Sequence, residues 1–129
     1  MIGGRVLDAS AVMAFASQRS VYAAALVWTV VEEHMVLVLP SAAVAAAWSQ
    51  LESKYHPVLE VLLRLPNTVI DDLDADRARA VGQLEPGDLE AAHAVACAQR
   101  RGWPLVTTDA ARYKEFNRSE EHTSELQSP

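Results

Sequence analysis

Two aspartates follow short apolar runs near opposite ends of the chain. Asp8 comes directly after the run 4–7, and Asp109 follows the run 105–107 after one residue. The sequence has no glycine-rich dinucleotide or P-loop motif and no nucleophile elbow, which disfavours a nucleotide site and a serine-nucleophile site. The chemistry that these residues offer is therefore that of a carboxylate-centred site.

Alternating strand and helix patterns must position these aspartates. The strand order, the short connections and the apolar character of the runs predict an α/β fold, with a parallel sheet covered by helices. Ligand sites in such sheets lie beyond the carboxyl ends of the strands, where both aspartates fall. Strands are predicted at 4–7, 35–39, 68–70 and 105–107. Helices are predicted at 11–17, 21–33, 42–53, 57–65, 75–84, 89–101 and 110–116, with Ser10, Ser41 and Asp88 as N-caps and Gly102 after the last long helix.

Composition limits the classes of protein to consider. The 129 residues are 50% hydrophobic and carry a net charge of −6, so contact with a nucleic acid must be local rather than made by a basic stripe. The single cysteine permits neither a disulfide framework nor a cysteine-based zinc site. No apolar run has the length of a membrane span and the N-terminus lacks a signal-peptide pattern, so we expect a cytoplasmic protein without membrane contact.

The segments around both aspartates resemble the PIN domain family, the nuclease fold of VapC-type toxins. Residues 6–11, VLDASA, look like the opening strand of that family, and residues 102–109, GWPLVTTD, are similar to its late strand, which ends in Thr-x-Asp. The strand exit at Pro40 and the helix around 92–98 fall at the family's spacing. The resemblance covers nearly all of residues 1–117 and implies a three-layer α/β/α domain with a central parallel sheet.

The resemblance also implies a function and a metal. Such proteins hydrolyse RNA phosphodiester bonds with Mg²⁺ or Mn²⁺, an ion that prefers oxygen ligands and lowers the pKa of a bound water. Asp8 and Asp109 would hold the ion, Asp88 would supply a third carboxylate, and Glu90 is a weaker candidate because helical geometry turns it about 100° away. RNA as substrate, an antitoxin protein and a second copy of the chain are the implied partners.

Two positions depart from the family's pattern. Ala46 and Ala91 stand where the family carries acids, so we expect weak ribonuclease activity. The alternative is a non-catalytic PIN-like module that binds a protein or RNA. A receiver-like domain is disfavoured because Asp8 is followed by Ala9 and no lysine ends a late strand.

Other polar residues are interpreted as structural. His93 is interpreted as a partly buried or surface histidine rather than a metal ligand, and Cys97 as a core residue. The acidic run 71–76 is attributed to solvation and to the helix dipole. The arginines of the second half are read as a solvated face: Arg77, Arg79, Arg100, Arg101 and Arg112.

The composition changes after Asn117. Residues 118–129 resemble the in-frame translation of a sequencing adapter. We therefore expect a domain at 1–117 that is truncated near its C-terminus and lacks its last strand, followed by a non-native tail that packs against nothing.

Overall fold

A computed structural model describes residues 3–84 and 87–117. Within them the strands form one parallel sheet in the order β3-β2-β1-β4. Each observed strand lies within one residue of a predicted one, because strands covered on both faces read as continuous apolar runs. The strands are β1 (Gly4–Leu7), β2 (Val36–Pro40), β3 (Thr68–Asp71) and β4 (Leu105–Val106).

Helices connect the strands and cover both faces of the sheet. They are α1 (Ala9–Ala16), α2 (Val21–Glu32), α3 (Ser41–Gln50), α4 (His56–Arg64), α5 (Ala75–Gly82) and α6 (Leu89–Arg101), with 3₁₀ turns at Ser53–Tyr55 and Ala110–Asn117. None of these described helices combines the length and the apolar character that a membrane crossing requires.

Alternation along the strands divides the core into two clusters. Leu7, Leu37 and Leu39 point to one face, where they pack with buried residues of α1, α2 and α4. Val6 and Val38 point to the other face, where they pack with α6 and with Tyr113. This arrangement confirms the predicted α/β class and its three α/β/α layers.

Helix boundaries correct two of the predicted caps. Asp8, not Ser10, is the N-cap of α1, and its side chain accepts a hydrogen bond from the backbone N–H of Ala11. Ser41 is the first residue of α3 and uses its hydroxyl to accept from the backbone N–H of Leu73. In both places the helix starts directly at the strand end, which leaves no room for a later cap.

In the C-terminal half, the observed caps of α6 agree with the predicted ones. Asp88 caps α6 by accepting from the backbone N–H of Ala91. Gly102 ends the helix in the left-handed conformation, with a φ of 69°. The predicted missing strand and the tail at 118–129 lie outside the described residues.

Candidate functional site

Asp8 lies at the carboxyl end of β1 and is fully buried. Its Oδ1 accepts hydrogen bonds from the Ser10 hydroxyl at 2.7 Å and from the Ala11 backbone N–H at 3.0 Å. The Ser10 hydroxyl in turn lies 3.1 Å from Thr107 Oγ1 and accepts from the Thr108 backbone N–H. The β1–α1 junction is thus tied to the chain that leaves β4.

The second carboxylate oxygen of Asp8 faces the 3₁₀ turn at Ala110–Asn117. Tyr113 Oη donates to Asp8 Oδ2 at 2.5 Å, and Arg112 Nη1 lies 3.4 Å from the same oxygen. Burial is the main cause that raises the pKa of Tyr113, with the charge of Asp8 as a further cause. The phenol therefore stays protonated and donates to Asp8.

The guanidinium of Arg112 joins three carboxylates. It binds Asp88 through two hydrogen bonds of 3.0 and 2.9 Å, donates to Glu90 Oε1, and contacts Asp8. The other oxygen of Glu90 accepts from the Ala9 backbone N–H at 2.9 Å. Asp8, Asp88 and Glu90 thus converge on one cation at the carboxyl end of the sheet.

The three acids experience different environments. Hydrogen bonds from Arg112 lower the pKa of Asp88. Burial raises the pKa of Glu90, and its hydrogen bonds from Ala9 and Arg112 oppose that rise. The hydrogen bond to Asp88 is the main cause that raises the pKa of Arg112, which therefore keeps its positive charge.

The structure brings three of the four predicted site residues together. Asp8, Asp88 and Glu90 share Arg112, whereas the Asp109 carboxylate is exposed and forms no hydrogen bond or ion pair with a described residue. Only the backbone N–H of Asp109 is engaged, by Thr107 Oγ1 at 3.0 Å.

The expected orientation of Glu90 is wrong. An angle of about 100° between the two side chains would require Asp88 to be helical, but Asp88 is the N-cap and has a φ of −133° and a ψ of 73°. Glu90, one residue inside α6, is therefore able to reach Ala9 and Arg112. Both acids at the start of α6 contact Arg112, which also contacts Asp8.

The alanines at the two positions where the sequence resemblance implies acids differ in exposure. Ala46 is half-buried on α3. Ala91 is fully buried with Val6, Val38 and Val95. An acid at position 91 would place a charge in this apolar cluster, which costs several kcal/mol unless the charge is paired.

Sequence reasoning missed Arg112 and Tyr113. Arg112 is not part of a solvated face, because its side chain is only 20% exposed and contacts three acids. Tyr113 is 1% exposed and packs in the α6 cluster. The sequence signal that could have identified both residues is their position, in the segment that follows the carboxyl end of β4.

A cleft opens beside the acid cluster on the side of Ser10 and Thr108. Its volume is about 580 Å³. Among its lining residues, Arg19 supplies a positive charge and Tyr55 an aromatic ring. The cleft has the chemical groups that contact a phosphate and a base.

A second polar cluster surrounds the end of β3. Asp71 is buried and forms ion pairs with Arg77, Arg100 and Arg101, so these residues are not the solvated acid and solvated face that the sequence indicates. His93 and Cys97, both buried on α6, lie beside it. This cluster lies on the α6 side of the sheet.

Comparison with known proteins identifies the fold. No family model matches the sequence, and no curated protein matches it. The structure is similar to a chain of VapBC2 from Rickettsia felis, crystallised with a DNA fragment from its promoter, at 18% sequence identity and a TM-score of 0.63. The alignment covers 95% of this chain and 97% of that chain. The chain therefore has a VapC-like PIN fold, as the sequence resemblance predicts.

Proposed function

We propose that the chain is a ribonuclease of toxin–antitoxin type, which hydrolyses RNA phosphodiester bonds with a divalent cation at the carboxyl end of the sheet. The observation that carries this proposal is the convergence of Asp8, Asp88 and Glu90 on one point. Three carboxylates and one guanidinium together carry two net negative charges when all three acids are ionised. That excess matches the charge of one Mg²⁺ or Mn²⁺.

The donor chemistry fits such an ion. Mg²⁺ and Mn²⁺ prefer carboxylate oxygens and water, and Asp8, Asp88 and Glu90 offer carboxylate oxygens. A bound ion would lower the pKa of a water and offset charge on the scissile phosphate. We place Asp109 as a further ligand, because its backbone N–H donates to Thr107 Oγ1, which lies beside Ser10.

The remaining residues orient the acids and receive the RNA. Ser10, Ala11 and Tyr113 donate hydrogen bonds to Asp8 and fix its carboxylate. Arg19 and Tyr55 line the adjacent cleft, where we place the single-stranded RNA. Because the chain carries a net charge of −6, these local contacts must supply the attraction for RNA.

Arg112 explains why we expect weak activity. Its guanidinium occupies the space between the three carboxylates and neutralises part of their charge. A divalent ion must compete with it for the same oxygens. Activity should therefore need a higher Mn²⁺ concentration than a site made of acids alone.

The direct test is Mn²⁺-dependent cleavage of a mixed-sequence single-stranded RNA. We expect Asp8→Asn to lower the rate by more than the 10–100-fold that loss of an outer partner of a metal ligand costs. Asp109→Asn should also lower the rate. Asp76→Asn changes an exposed acid that is paired with Arg79 and serves as the matched control. Equal cleavage by folded wild-type protein and Asp8→Asn would refute the proposal.

A second function is favoured by the same ion cluster. Arg112 already binds all three acids, as expected if the site no longer holds a metal and the domain only binds a protein. VapBC2 is a complex, so an antitoxin-like protein is the proposed partner in either case. Isothermal titration of Mn²⁺ separates the two functions, because only the ribonuclease requires a binding isotherm that Asp8→Asn removes.

A further inference from the structure

A group of metal-ligating side chains lies where the end of β3 meets the middle of α6. Asp71, His93 and Cys97 each offer one ligand atom, and these atoms all lie within 4.8 Å of one another. All three residues are buried. They lie on the α6 side of β3, apart from the three acids that bind Arg112.

The environment of His93 is the second observation that indicates a ligand. Its side chain is 1% exposed, and neither Nδ1 nor Nε2 has a hydrogen-bond partner. Buried polar atoms in native proteins nearly always have a partner, so an imidazole with none is unusual. A ligand held against Asp71 and Cys97 would give one of these nitrogens its partner.

The neighbouring arginines leave Asp71 able to bind a metal ion. Among the described residues, Arg100 and Arg101 contact Oδ2, and the contact that Arg77 makes with Oδ1 is long, at 3.5 Å. A carboxylate that binds a metal is commonly hydrogen-bonded on its other side by an outer partner. The arginine side chains are 25–40% exposed, so water screens part of their repulsion.

We infer that Asp71, His93 and Cys97 form a binding site for a borderline-soft divalent ion, with Zn²⁺ as the expected occupant. One oxygen, one nitrogen and one sulfur suit Zn²⁺ rather than Mg²⁺, and three protein ligands leave a fourth position for water. The ion would join the edge strand β3 to α6, the helix that also carries Glu90. This site is independent of the proposed ribonuclease activity.

Binding replaces a proton with the metal ion. Burial raises the pKa of the Cys97 thiol to about 12, so the residue is a thiol at neutral pH. When Zn²⁺ binds, the S–H bond breaks, the sulfur donates its electron pair to the ion, and one proton is released to solvent. Neither the metal nor the sulfur changes oxidation state.

Cobalt is the probe for the test. Co²⁺ replaces Zn²⁺ in such sites, and a cobalt–thiolate bond gives a charge-transfer band in the near ultraviolet. The chain has one cysteine, so this band reports on Cys97 alone. We expect a band that saturates at one equivalent of Co²⁺, that Zn²⁺ displaces, and that Cys97→Ser abolishes.

Two variants and one control test where the ion binds. His93→Gln and Asp71→Asn should each weaken Co²⁺ binding at least about tenfold, as loss of a ligand requires. Asp8→Asn should leave the cobalt band unchanged, which separates this site from the acid cluster. The ribonuclease assay and the cobalt band therefore test the two proposals separately, because a variant can lose either signal and keep the other.

Wild-type protein gives a test that does not depend on the folding of variants. Zn²⁺ should raise the melting temperature and slow alkylation of Cys97 during partial unfolding. A folded wild-type protein that gives no thiolate band with millimolar Co²⁺, and whose melting temperature Zn²⁺ leaves unchanged, overturns the proposal. A cobalt band that persists in Cys97→Ser also overturns it.

Discussion

At the scale of single residues, we expect Arg112 to affect both the stability of the fold and the proposed metal binding. Its guanidinium is the cation that Asp8, Asp88 and Glu90 share. Removal of one member of a buried ion pair costs about 3–5 kcal/mol. We expect Arg112→Met to lower the free energy of unfolding by roughly 2–3 kcal/mol, since the Asp88 side chain is 40% exposed and water takes over part of the pairing.

The same substitution should strengthen Mn²⁺ binding. Without Arg112 the three carboxylates repel one another, and a divalent ion relieves that repulsion. The melting temperature of Arg112→Met should therefore rise more on addition of Mn²⁺ than that of the wild-type protein, as measured by differential scanning fluorimetry. Arg64→Met removes an exposed arginine paired with Glu60 and is the control. If Mn²⁺ stabilises Arg112→Met no more than it stabilises Arg64→Met, then Arg112 does not compete with a metal.

At the scale of elements, the close approach of β1 to Trp103 requires a glycine. A Cβ on Gly4 would lie 2.5 Å from the Trp103 ring and 2.7 Å from the Val36 carbonyl oxygen, and the backbone oxygen cannot move without disturbing β2. Overpacking of this kind costs about 1–3 kcal/mol. We expect Gly4→Ala to lower the free energy of unfolding by that amount in urea denaturation.

Gly82→Ala is the matched control for Gly4→Ala. Gly82 is the last residue of α5, and a Cβ there meets nothing within 4 Å. Because alanine favours a helix over glycine by up to about 1 kcal/mol, this variant should be equally stable or more stable. Equal destabilisation by both substitutions would show that the Trp103 contact is not the cause.

The secondary-structure elements also show which features of the fold local sequence patterns can predict. Apolar runs predict the strands well, and the N-cap at Asp88 with Gly102 predicts the bounds of α6, because local sequence decides them. The capping role of Asp8 and the pairing of Glu90 with Arg112 depend on where a helix starts against a strand. The hydrogen bond from Tyr113 to Asp8 joins residues 105 positions apart, and that contact comes from tertiary packing rather than from any local period.

At the scale of the whole molecule, one apolar surface suggests self-association. The exposed side of α2 carries Val21, which is 86% exposed, and Trp28, which is 66% exposed. Residues 21–31 contain no charged side chain. An uncharged apolar face presents no like charges to a second copy of itself, which permits a two-fold dimer.

We therefore expect the chain to form a dimer through α2 and Trp28→Glu to shift it toward monomer. The introduced glutamates would face each other in the interface, where unpaired charges are costly, but would be solvated in the monomer, so the fold should remain intact. Sedimentation velocity over a range of concentrations measures the shift, and circular dichroism checks the fold. Val61→Glu places the same charge at an exposed valine of α4 and should leave the association unchanged. If the wild-type chain is monomeric at all concentrations but associates with a co-expressed antitoxin in a Trp28-dependent manner, the surface belongs to that partner instead.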